Sequence, residues 1–124
     1  MIRLPHPVFT FAYVAAMLVV IVLSLIPSPD IPGPEGSDKA AHLIAYGAIA
    51  FCGGLGFQTW PSRLKSAAFA IALGVFLEFA QAAWFERNGS AWDAVANSLG
   101  AALGLVGAAL ILSLAVKLSR KNAA

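Results

Sequence analysis

Hydrophobic residues along this chain group into four long stretches separated by short polar segments. The stretches cover residues 7–26, 40–57, 67–84 and 91–116. A helix needs about 20 apolar residues to cross the hydrocarbon core of a bilayer, and each stretch is close to that length or longer. The pattern therefore predicts an all-α fold, a bundle of four transmembrane helices that forms one membrane domain over residues 1–124.

Composition indicates the same class of protein. The 124-residue chain is 60% hydrophobic and 11% charged, and its mean hydropathy is +0.81. Soluble domains usually contain about 25% charged residues, so this chain has too few charges to cover a surface in water. We therefore expect an integral membrane protein.

Basic residues lie before the first stretch, between the second and the third, and after the fourth. Lys and Arg concentrate on the cytoplasmic side of multi-pass proteins, and these positions agree on one topology. Both termini are then expected in the cytoplasm, and the first and third connections face outward. The residues are Arg3, Arg63, Lys65, Lys117, Arg120 and Lys121.

Polar residues interrupt three of the stretches near the ends that this topology places outside. Within each helix they recur at spacings of three or four residues, which puts them on one face, so we expect three polar faces to meet in one pocket. A charge in hydrocarbon is costly unless it is paired or hydrated, which makes such residues candidates for a functional site. They are Asp38, Lys39, His42 and Tyr46 on the second stretch, Glu78 and Gln81 on the third, and Arg87, Asp93 and Asn97 around the start of the fourth.

Each polar residue also has a structural interpretation. Ser90 and Asp93 have the spacing of a capping box, so Asp93 could serve only to cap the fourth helix. Lys39 could extend its ammonium to the headgroups. Glu78 is too far from either helix end for such an explanation, and we expect it to be paired or functional. Gly100 and Gly104 form a G-x-x-x-G pattern, which predicts close helix packing.

Four segments resemble one family, the VanZ-like proteins, which are small multi-span bacterial membrane proteins. They are DKAAHLIAY from Asp38, EFAQ from Glu78, Arg87 with Ser90, and DAVANSLG from Asp93. The resemblance covers roughly residues 20–110 and implies a four-helix domain in the bacterial inner membrane. The family is named for a member associated with low-level resistance to the glycopeptide antibiotic teicoplanin. The resemblance implies no catalytic residues.

The function expected from these features is an outward-facing polar pocket that engages a cell-envelope lipid, a lipid-linked precursor or an amphiphilic antibiotic. One alternative is an enzyme on such a lipid, with Glu78 and His42 as acid and base. Another is a proton-coupled transporter or its subunit. Neither a cofactor nor a metal is expected, because Cys52 is the lone cysteine and the spacing of His42, Glu78 and Asp93 is not diagnostic. The short basic tail suits lipid headgroups better than nucleic acid.

Overall fold

Four α-helices make up nearly all of the part of the chain that the computed structural model describes, residues 5–26, 36–84 and 90–122. They are α1 (His6–Leu25), α2 (Ser37–Gly56), α3 (Trp60–Trp84) and α4 (Ala91–Lys121). The all-helical class is therefore confirmed. The predicted connection between the first two helices lies mostly outside the described residues.

Three of the helices extend beyond the apolar stretches into the flanking polar residues. α2 begins at Ser37 and α3 at Trp60, whereas the hydrophobic pattern predicted starts at 40 and 67. α4 continues to Lys121, where Arg120 and Lys121 lie in its last turn. Hydrophobic periodicity cannot detect such turns, since their polar side chains lie outside the apolar core, although basic residues stabilise a helix C-terminus.

Contacting residues show how the helices are oriented. The ring of His6 bonds the carbonyl of Leu55, near the opposite end of α2 from Ser37, so α1 and α2 are antiparallel. Glu78, near the end of α3, contacts the residue that precedes α4, so these two helices are antiparallel as well. His42, in the second turn of α2, bonds Asn97, in the second turn of α4. The start of α2, the end of α3 and the start of α4 consequently lie at one end of the bundle, which we call the polar end.

The most extensive helix contact joins α2 and α4, which run parallel to each other. A Cβ atom on Gly100 would overlap the carbonyl oxygen of Leu43, and one on Gly104 would overlap the carbonyl oxygen of Gly47. Further along, a Cβ on Gly54 would meet the Cβ of Ala108 at 2.5 Å. The two backbones thus touch along the faces made of small residues, as in close helix packing within membranes.

Large apolar side chains cover the outside of the bundle. Phe11 is 76% exposed and Phe79 is 72% exposed. Soluble proteins of this size rarely expose large continuous apolar patches. By length and composition, α1, α3 and α4 can each cross a membrane. α2 is not among these three helices, and its first two turns carry Asp38, Lys39 and His42. The described helices therefore indicate a membrane protein.

The contact between α2 and α4 predicts that alanine substitutions at two glycines of α4 differ in their effect on stability. Gly104→Ala should lower the free energy of unfolding by about 1–3 kcal/mol, the usual cost of overpacking, because the new methyl group would overlap the α2 backbone. Gly107→Ala is the matched control, since its Cβ would lie 3.5 Å from the Phe51 ring, an ordinary contact. Thermal unfolding in detergent measures both, and equal melting temperatures for the two variants would contradict the packing.

Candidate functional site

His42 lies at the centre of the polar end, and its ring is held from one side by α4. Its Nδ1 atom is 2.9 Å from Oδ1 of Asn97. An amide oxygen only accepts hydrogen bonds, so Nδ1 must donate the hydrogen. When the ring is neutral, its other nitrogen, Nε2, therefore carries the lone pair.

Nε2 of His42 faces two carboxylates from two other helices. It lies 4.0 Å from Oε1 of Glu78 on α3 and 4.0 Å from Oδ2 of Asp93 on α4. One ligand atom from each of the three residues can be chosen so that all lie within 4.8 Å of one another. We call His42, Glu78 and Asp93 the three-residue cluster.

A lysine and a further aspartate border this cluster. Nζ of Lys39 is 3.3 Å from Oδ2 of Asp38 and 3.9 Å from Oδ1 of Asp93. Asp38 precedes the apolar part of α2 and is exposed, and hydrogen bonds from the backbone and then the ammonium of Lys39 lower the pKa of its carboxyl. Lys39 therefore supplies positive charge at the edge of the cluster, where half of its side chain remains accessible.

Glu78 is hydrogen-bonded to the start of α4. The backbone N–H of Ser90 donates to Oε2 of Glu78 at 3.1 Å. A capping box would need that N–H to bond the Asp93 carboxylate, and the Ser90 side chain makes no capping bond either. The capping interpretation of Asp93 is therefore wrong, because its carboxylate is directed to His42 and Lys39 instead.

The other predicted site residues lie around the cluster or outside the described part of the chain. Nε2 of Gln81 donates to the backbone oxygen of Ser24 at 2.9 Å, which ties α3 to α1. Tyr46 is only 2% exposed and packs against Gly74. Arg87 falls outside the described residues, so its predicted role stays a prediction.

Two buried polar atoms near His42 have no hydrogen-bond partner among the described residues. They are Oδ1 of Asp93 and Nδ2 of Asn97. Lys39 Nζ is within ion-pair distance of that Asp93 oxygen but too far for a hydrogen bond. Leaving a buried polar atom unpaired costs about 1–3 kcal/mol, so these atoms mark a place where the protein alone does not satisfy its polar groups.

An apolar groove reaches this site between α3 and α4. Its volume is about 300 Å³, and Glu78 belongs both to its wall and to the three-residue cluster. The rest of its wall is almost entirely apolar, apart from Ser90. The lining residues are Val75, Glu78, Phe79, Ala82, Ser90, Ala91 and Ala94.

Some partners in the site carry no sequence signal. The Ser90 backbone N–H and the Ser24 carbonyl are main-chain groups, so no residue type announces them. Gly74 is different. A Cβ there would come within 3.0 Å of both Tyr46 and Asn97, and a glycine in the middle of an apolar helix was the available hint of a close approach.

Comparisons with protein-family models, with curated proteins and with solved structures found no match to this chain.

The bond between His42 and Asn97 predicts energetic coupling across the α2–α4 contact. A double-mutant cycle of His42→Ala and Asn97→Ala should give an interaction energy of about 0.5 kcal/mol or more, as contacting residues do. Ser98→Ala replaces Asn97→Ala in the control cycle, because Ser98 bonds the carbonyl of Ala94 on its own helix. Chemical unfolding in mixed micelles measures both cycles, and coupling of the same size in each would contradict a specific bond.

Proposed function

We propose that this chain is a VanZ-like multi-pass protein of the bacterial inner membrane that binds a cell-envelope lipid or a lipid-linked precursor at its polar end. In this proposal α2 is a fourth span, both termini are cytoplasmic, and the polar end faces outward. α2 has 20 residues and a length of about 30 Å, which matches the hydrocarbon core. Its polar first turns would lie at the outer surface.

The groove between α3 and α4 is the observation that carries the proposal. It is apolar along the helices and meets a carboxylate at Glu78. An amphiphile has the same division, with a hydrocarbon chain joined to a polar headgroup. A chain in the groove would bring its headgroup to His42, Glu78 and Asp93.

Tryptophan positions support a headgroup at this depth. Trp84 ends α3 and Trp92 lies in the first turn of α4, and both are about 70% exposed at the polar end. Exposed Trp residues concentrate at membrane interfaces. Glu78 is six residues before Trp84, or about 9 Å deeper, which is within reach of a lipid headgroup and its first carbons.

The size of the groove favours a lipid over a whole antibiotic. A volume of about 300 Å³ is at the lower end of small-molecule pockets and suits a length of one hydrocarbon chain. A glycopeptide could insert only a lipid-like substituent there. We therefore place the envelope lipid or lipid-linked precursor first and the amphiphilic antibiotic second.

The second candidate function is that of an enzyme acting on such a lipid. Its support is the orientation of His42, since a general base needs a fixed tautomer and a nearby acid, and Asn97 and Glu78 meet these conditions. Turnover of a bound polyprenyl phosphate that His42→Ala abolishes would favour it. A transporter has less support. Ser66 is the one buried polar side chain near the opposite end of the described helices, and it bonds its own helix.

The proposed topology predicts which end of the bundle is accessible from outside intact cells. In a Cys52→Ala background, Ser37→Cys should react with a membrane-impermeant maleimide and Ser62→Cys should not. Ser37 is preferred to Gly36, whose φ of 89° would strain any other residue. The reverse labelling pattern would invert the protein and remove the link to the outer envelope.

If lipid binds in the groove, a bulky side chain should block binding at Ala82 but not at the neighbouring Ala83. Ala82→Phe should weaken retention of phosphatidylglycerol or polyprenyl phosphate by roughly tenfold, equivalent to about 1.4 kcal/mol, because Ala82 lines the groove. Ala83→Phe is the control, since Ala83 is also exposed on α3 but does not line the groove. Native mass spectrometry of the purified protein with each lipid measures retention. Equal retention by both variants would refute the groove as the binding site.

A further inference from the structure

The distances around His42 do not fit a hydrogen-bonded ion pair. A charge-assisted N–H···O bond is about 2.7–2.9 Å long, whereas Nε2 of His42 is 4.0 Å from the nearest oxygens of both Glu78 and Asp93. Three side chains from three helices are thus directed at a common point without touching one another. The gap between their ligand atoms is the feature that needs a physical explanation.

A cation between the three atoms explains the separation. Donor atoms about 2.1 Å from a tetrahedral Zn²⁺ lie about 3.4 Å apart. Ligand atoms that all lie within 4.8 Å of one another need only a small inward movement to surround one ion. A site that shares only a proton would need a larger inward movement, because its donor and acceptor lie about 2.7–2.9 Å apart.

Asn97 prepares His42 for this role. Metal-bound histidines usually donate their other ring N–H to an oxygen, which fixes the tautomer and orients the ring. The Oδ1 atom of Asn97 is 2.9 Å from Nδ1 of His42, so the lone pair of neutral His42 is on Nε2, the atom that faces the carboxylates. Asn97 is 1% exposed, which holds the amide in place.

The charge around Asp93 also favours a cation. Asp93 is 8% exposed, and its Oδ1 atom is buried with no hydrogen-bond partner in the part of the chain that the structure describes. Two carboxylates close together in a low-dielectric site repel each other unless positive charge compensates them. Within residues 36–84 and 90–122, Lys39 is the lysine or arginine side chain that pairs with Asp93, but its Nζ is 3.9 Å from Oδ1 of Asp93 and its side chain is half exposed.

We propose that His42, Glu78 and Asp93 form a binding site for one divalent metal ion, with Asn97 as a positioning residue. One imidazole and two carboxylates suit Zn²⁺, Mn²⁺ or Fe²⁺ better than Mg²⁺, which prefers oxygen ligands and bound water. Three protein ligands leave at least one coordination position for water or another group. The inference stands on the geometry of the cluster and does not depend on the proposed lipid ligand.

Direct titration of the full-length protein with Co²⁺, a spectroscopic substitute for Zn²⁺, tests the site. The protein should carry an affinity tag without histidine and should be treated with a chelator in detergent before the titration. We expect one equivalent of Co²⁺ to bind with visible absorption of a low-coordinate ion, and Zn²⁺ to displace it. The absence of saturable binding of Co²⁺, Zn²⁺ and Mn²⁺ would overturn the proposal.

Four substitutions separate this site from general attraction of cations to acidic groups. Glu78→Gln and Asp93→Asn should each lower the affinity at least tenfold by removing a ligand, and Lys39→Gln should raise it by removing a competing positive charge. Asp38→Asn is the control, because Asp38 is an exposed carboxylate outside the cluster, and it should leave the affinity nearly unchanged. If Asp38→Asn weakened binding as much as Asp93→Asn did, the cluster would not be the site.

Asn97→Ala tests the positioning role with a readout that folding alone would not move. Loss of such a partner typically costs about 10–100-fold in metal affinity, while the number of bound ions and the Co²⁺ spectrum should stay those of the same three ligands. Circular dichroism and gel filtration check the fold of each variant. Zn²⁺ should raise the melting temperature of the original protein more than that of Asp93→Asn at the same Zn²⁺ concentration, and an equal rise in both would overturn the assignment.

Discussion

The backbone contact between α2 and α4 determines where everything else at the polar end lies. Because glycine replaces larger side chains on both surfaces, the carbonyls of Leu43 and Gly47 approach Gly100 and Gly104 directly. Such a contact allows little sliding, since any other register would bring larger side chains between the helices. His42 precedes Leu43, and Asn97 lies one turn before Gly100, so the same register places the imidazole next to the amide.

Charge compensation is the second constraint, and it acts at the polar end alone. Glu78 and Asp93 are both largely buried, yet the described groups that pair or bond with them are one imidazole, one partly exposed ammonium and one backbone N–H. Buried charges are stable when they are paired and hydrogen-bonded. A divalent ion would complete this balance, and it would also let the site accept an anionic headgroup that two bare carboxylates would repel. The metal and the lipid remain separate proposals with separate experiments.

α1 contributes to the site from a distance. It buries little of its own surface, mainly Tyr13 and Met17, and the rest of its apolar surface faces outward. Among the described residues, three hydrogen bonds nevertheless attach it to α2 and α3 along its length. The ring of His6 bonds the carbonyl of Leu55, the Tyr13 hydroxyl donates to the carbonyl of Ser66, and the Gln81 amide donates to the carbonyl of Ser24. The last bond fixes α3 one turn beyond Glu78 and so limits the rotation of that carboxylate.

Hydrophobic patterning and composition alone determined the helical class, the approximate helix bounds and the membrane environment, because these depend on local periodicity and on the balance of apolar and charged residues. The polar residues at one end of the bundle could also be read from the chain. The groups that these residues contact in the folded protein could not be read from the chain. Spacing allowed Asp93 to cap its own helix, and only the packed bundle showed that Ser90 bonds Glu78 while Asp93 faces His42. A metal-ligand pattern was absent from the sequence for the same reason: the three residues come from three helices, and only tertiary packing decides the distances between side chains so far apart in the chain.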